Sequence, residues 1–123
     1  MQKAKNISDL PNEVRKGFNA IFASFANSDI EFDVNKGDLF GYEFTIFVCD
    51  NLIVPGYLHT WKEWREKGLR ALDYLSEAEF SVVEDLWYSM LPPFGIPEDR
   101  YSDFFLQVRE RLIQEEKNVV ESR

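Results

Sequence analysis

The chain has 123 residues, 45% of them hydrophobic, with Phe 11, Tyr 5 and Trp 3. That is core material for one domain and excludes a disordered chain. Asp and Glu number 22 against 14 Lys and Arg, a net charge of −8, which argues against direct nucleic-acid binding and against an anionic membrane surface. One Cys and one His exclude an intrachain disulfide and a structural zinc site.

The sequence predicts a single domain over 1–123, with about 1–8 and 116–123 as frayed tails. From Pro11, the residues Val14, Phe18, Ile21, Phe22 and Phe25 repeat with the period of one helical face. Pro11 suits a first turn, where its missing N–H is no loss, and Asn27-Ser28 ends this helix. Ile30, Phe32 and Val34 then alternate with Asp29, Glu31 and Asp33, the period of a half-buried strand. A turn at Asn35-Lys36-Gly37-Asp38 leads into a second strand from Leu39 to Cys49. Its two faces are Tyr42, Phe44, Ile46 and Val48, and Glu43, Thr45, Phe47 and Cys49. Asp50-Asn51 turns the chain into Leu52-Ile53-Val54, which Pro55-Gly56 stops. This is a three-stranded antiparallel meander.

Two capping boxes follow, Thr60-Trp61-Lys62-Glu63 and Ser76-Glu77-Ala78-Glu79, each placing a hydroxyl three residues before a Glu. The helix from Trp61 is expected to break at Gly68 with Leu69 folding back on Trp64. The alternative is a helix running on to Leu75, with an interior glycine costing about 1 kcal/mol. The helix from Glu77 turns Phe80, Val83, Trp87 and Met90 inward and stops at Pro92-Pro93. Pro97 opens a last helix with the stripe Tyr101, Phe104, Phe105, Val108 and Leu112, fraying from Gln114 on. The predicted class is α+β: a helix, a meander, then three helices packed on the sheet.

Signatures of chemistry are sparse. Cys49 and His59 are ten residues apart, a Cys-His pair in principle; the competing reading is an inert buried cysteine. No Gly-x-Ser-x-Gly, Walker loop or Gly-x-Gly-x-x-Gly occurs. Asp29, Glu31 and Asp33 lack the glycine and terminal glutamate of a calcium loop. No catalytic residue, metal or cofactor is therefore assigned. Trp61 and Trp64, with Phe40, Tyr42, Phe44 and Phe47, supply core or the wall of a pocket; Tyr42, His59 and Trp61 are the candidate pocket residues.

Charge pattern carries more information. Residues 71–99 hold seven acids, Asp73, Glu77, Glu79, Glu84, Asp85, Glu98 and Asp99, and no base. The candidate partner-binding residues are Asp29, Glu31 and Asp33 on the first strand and Glu77, Glu84 and Asp85 on the helix from Glu77. The competing explanation is a solvated face whose acids favour a helix start or guard a strand edge. The best reading is a small, non-enzymatic inhibitor or immunity-type protein docking on a basic protein partner, with cytoplasmic localisation from its unpaired cysteine and lack of a leader or membrane span. The alternatives are a small-molecule binder or minor enzyme with an aromatic-lined pocket, and a self-associating structural protein, for which a homodimer is the expected form.

Overall fold

The computed structural model of the chain describes residues 7–23, 41–90 and 95–121. After a 3₁₀ turn at Ile7–Asp9, the helices are α1 (Asn12–Phe22), α2 (Tyr42–Val48), α3 (Val54–Leu58), α4 (Lys62–Ser76), α5 (Phe80–Tyr88) and α6 (Tyr101–Glu121). A π-helical turn, Cys49–Ile53, fuses α2 to α3. Among the described residues there is no β-strand. The α+β class is thereby overturned: the fold is a helical bundle, and the predicted second and third strands are one bent helix. The predicted first strand, with Asp29, Glu31 and Asp33, lies outside the described residues. So do the turn at 35–38, Phe25, Asn27-Ser28, Phe40 and Pro92-Pro93.

The reason lies in a pattern that satisfies two periods. Tyr42, Phe44, Ile46 and Val48 alternate, but Thr45, Cys49, Ile53 and Tyr57 recur every four residues, and those four are buried, the stripe of a helix. Thr45, expected beside Glu43 on the second face of a strand, is fully buried and donates its hydroxyl to Gly41 O at 2.9 Å. Asn51, read as a turn residue, donates Nδ2 to Phe47 O at 2.8 Å, one helical turn back. Pro55 has no N–H, and in a regular helix its ring would press on the carbonyl four residues back. The wider turn meets this constraint, with Val54 N–H reaching Cys49 O, five residues back.

Both predicted capping boxes fail in the same way. Thr60 Oγ1 donates to Gly56 O at 2.9 Å and Ser76 Oγ to Asp73 O at 2.7 Å, so each hydroxyl closes the helix behind it. The N-cap positions fall on Trp61 and Glu79, neither with a side-chain capping bond. Nor does α4 break at Gly68; it runs to Ser76. The last helix, α6, continues to Glu121. Arg65 pairs with its Glu116 at 3.5 Å, and Arg111 binds Glu115.

The other helices match their patterns. On α1, Val14, Phe18, Ile21 and Phe22 are buried; on α6, Phe104, Phe105, Val108 and Leu112 are. On α5, Val83 and Trp87 are buried while Phe80 and Met90 pack partly buried against the core. Phe22 gathers the rings, with its centroid 5.5 Å from Trp87, 6.3 Å from Phe104 and 6.0 Å from Phe105. Phe44 brings α2 onto Phe104 at 6.3 Å. Edge-to-face and tilted pairs of this kind contribute about 0.5–1.5 kcal/mol each beyond area burial.

Helices α1 and α4 cross through glycine. A Cβ on Gly17 would collide with the backbone carbonyl of Lys67 and lie 2.8 Å from Ala71 Cβ; one on Gly68 would stand 2.6 Å from Ile21 Cδ1. The obstacle at Gly17 is backbone, whereas at Gly68 it is the end of a side chain that can rotate. Either alanine gains about 1 kcal/mol of helix propensity. Gly17→Ala is nevertheless expected to lower stability by about 2 kcal/mol, through overpacking that the crossing cannot relieve. Gly68→Ala should cost less than about 1 kcal/mol, and urea midpoints of the two variants would check this order.

Candidate functional site

The best-defined surface feature is an acidic corner where the α4–α5 turn meets the start of α6. Tyr101 Oη donates to Ala78 O at 2.6 Å, and the Tyr101 ring packs on Phe80 with centroids 5.5 Å apart. This bond brings the turn carrying Glu77 and Glu79 beside the segment carrying Glu98 and Asp99, all four exposed. Burial, and then the neighbouring Glu98 carboxylate, raise the Tyr101 phenol above its ordinary value, so it remains a donor. Along α5, Asp85 and Tyr88 share the outward stripe one turn apart. The Tyr88 hydroxyl lies against Gly95, where a Cβ would be 2.5 Å from it, yet Tyr88 remains 50% exposed.

The predicted partner-binding residues divide accordingly. Glu77 is in the turn before α5, not on that helix; Asp85 is exposed on α5, and Glu84 is half-buried beside it. Glu79, Glu98 and Asp99 belong with them, and the acid-only span that contains them was the signal. Glu77 and Arg100 are each already engaged in interactions within the fold.

The predicted pocket residues do not converge. Tyr42 opens α2, while His59 and Trp61 sit in the turn from α3 to α4, both exposed, Trp61 by 82%. Seventeen residues of nearly continuous helix, Tyr42–Leu58, put them on the order of 25 Å apart. Tyr42 instead helps line a cleft of about 240 Å³ between α2 and α6 with Ile46, Gln107, Glu110, Arg111 and Gln114. The π turn carries Asp50, whose Oδ1 accepts from Arg111 Nη2 at 2.8 Å and ties this segment to α6. Desolvation pulls Arg111 down, but hydrogen bonds to Glu115 and Asp50 hold its guanidinium above the ordinary value.

A polar cluster lies further along α6. Arg65 stands 6.0 Å from the Tyr57 ring centroid and pairs with Glu116. Burial first, and Glu116 second, raise the Tyr57 phenol, though its hydroxyl closes no hydrogen bond of normal geometry. The basic residues on α4 are largely compensated: Lys67 meets Glu13 at 3.4 Å and Glu63 at 3.3 Å, with its ammonium 4.6 Å from the Trp64 ring centroid. Among the described residues, no three of His, Cys, Asp and Glu are grouped to hold a metal ion.

Cys49 is fully buried, and its thiol is pushed up to about 12 by burial and then by Asp50, with Arg111 opposing. At pH 7 the thiolate is roughly one part in 10⁵, too little for a nucleophile. His59 is ten helical residues away, about 15 Å along the axis, so the Cys-His pair is not formed. The buried thiol stays protonated where the unfolded one ionises, so its stabilising contribution is whole below pH 9 and is lost as pH rises toward 12. Unfolding free energy should fall by up to about 1.4 kcal/mol per pH unit from this group above pH 9. Denaturation of the wild type and Cys49→Ala from pH 7 to 11 would measure it, the variant having the flatter profile at the start of that decline.

No helix among the described residues is long and apolar enough to cross a membrane. Comparison with protein-family models, curated proteins and solved structures finds no match to this chain.

Proposed function

We propose that the chain is a non-enzymatic binding protein, of inhibitor or immunity type, whose acidic corner docks on a basic protein partner. The observation that supports this most directly is the Tyr101–Ala78 hydrogen bond. It joins acids from two separate stretches of sequence, and Tyr88, half exposed at the other end of α5, adds aromatic surface of the kind interfaces favour. Clustered acids of one sign speed encounter with a cationic surface and reject acidic competitors. The proposed compartment is the cytoplasm, a reading supported by the unpaired, buried Cys49, since reducing compartments keep thiols free.

The test compares two double reversals that change net charge equally. Asp85→Lys with Glu98→Lys alters the corner; Glu43→Lys with Glu66→Lys alters exposed acids on α2 and α4. Proteins captured from native lysate by the wild type at low salt should be released at high salt. Binding of each purified partner should weaken about tenfold with the corner variant and little with the other. Equal effects of the two variants, or none, would reject the corner as a docking surface.

A further inference from the structure

The cleft between α2 and α6 is distinct from the acidic corner and shares no residue with it. Its volume of about 240 Å³ lies below the roughly 300–1,000 Å³ of drug-sized sites, which selects a short ligand. Tyr42, 69% exposed, and the half-buried Ile46 provide its apolar wall.

Two acceptors stand among the polar groups opposite. Gln107 keeps Oε1 shut off from solvent and without a hydrogen-bond donor, and the exposed Glu110 offers a carboxylate. Arg111 is the cation in the lining, but its Nη2 is committed to Asp50 and its Nη1 to Glu115. Asp50 and Glu115 together more than offset the Arg111 charge, and Glu110 adds a further carboxylate to the lining, so the balance of charge disfavours an anionic ligand. A cation leaves both Arg111 pairs in place, would satisfy Gln107 Oε1 once the amide turns about its soft terminal torsion, and can approach the Tyr42 ring face.

From these observations we infer that the cleft binds a primary alkylammonium group. The ammonium donates to Gln107 Oε1 and the Glu110 carboxylate, and the aliphatic chain lies along Ile46 and Tyr42. The group is carried by a free amine or by a lysine side chain, and experiment distinguishes these sources.

The test is an NMR titration of the full chain with n-butylammonium, N-acetyl-lysine methylamide, 1-butanol and butyrate, following backbone amides. Butylammonium should give saturable shifts at Tyr42, Ile46, Gln107 and Glu110 in the millimolar range, with butanol and butyrate at least tenfold weaker. Gln107→Leu and Glu110→Gln should each weaken binding at least threefold, while Glu66→Gln leaves it unchanged; the same spectra report whether each variant is folded. Equal binding of the lysine derivative points to a protein side chain, and tenfold preference for butylammonium to a free amine. Absence of saturable shifts with both amines, or butanol or butyrate binding as well as butylammonium, overturns the proposal. The corner reading would survive that failure, because its reversals leave every cleft residue intact.

Discussion

Helix α6 turns two consecutive rings, Phe104 and Phe105, into the core with centroids 5.7 Å apart, and the packing of the other helices is set by what reaches them. Phe22 of α1 and Trp87 of α5 each stack against both rings, and Phe44 of α2 meets Phe104. Consecutive residues on a helix diverge by about 100°, so the pair presents a wide apolar surface on which several helices can pack. The positions of α1, α2 and α5 are therefore coupled. A change at Phe104 would loosen three contacts together, since close-packed interiors transmit strain.

This anchoring also decides where chemistry can sit. With Phe104, Phe105, Val108 and Leu112 facing inward, Gln107, Arg111, Glu115 and Glu116 fall on the flanks of α6 and are half-buried. Half-burial is the condition under which a polar side chain is desolvated enough to need a partner and open enough to reach one. Arg111 finds Asp50, and Glu116 finds Arg65. Gln107 Oε1 finds none. The cleft and the Tyr57–Arg65–Glu116 cluster follow from one helix being fixed in rotation by its rings.

The helical stripes of α1 and α6 were legible because their apolar residues repeat at 3.6 and at no other period. The segment from Tyr42 to Leu58 was misread because it is rich in aromatic and β-branched residues, fits alternation locally, and carries Asp50-Asn51 and Pro55-Gly56 where a strand would turn. A π turn that admits Pro55 leaves no separate mark in composition. Its length was the better arbiter, as buried strands rarely exceed about eight residues. The capping boxes misled because a hydroxyl between two helices can bond forward or backward, and here the preceding carbonyls win. Gly68 looked like a stop because its partner, Ile21, is 47 residues away, and sequence spacing cannot show that α1 needs close approach there. Of the acidic site, the span 71–99 was readable but its gathering by Tyr101 was not.

The backward bonds have a consequence for function. Thr45, Asn51, Thr60, Ser76 and Ser89 all donate to carbonyls three or four residues behind them. Hydroxyls and amides that could have served a ligand are used to finish helices, especially around the irregular α2–α3 segment and at the ends of α4 and α5. The larger cations on the inner flanks are similarly tied, Lys67 to Glu13 and Glu63, and Arg111 to Asp50 and Glu115. What the described fold leaves for recognition is weighted toward acceptors: exposed carboxylates, one orphaned amide oxygen and the faces of Tyr42 and Tyr88. A surface with carboxylates in excess discriminates by sign before it discriminates by shape. That common bias supports the readings proposed for both the corner and the cleft, although different helices build them.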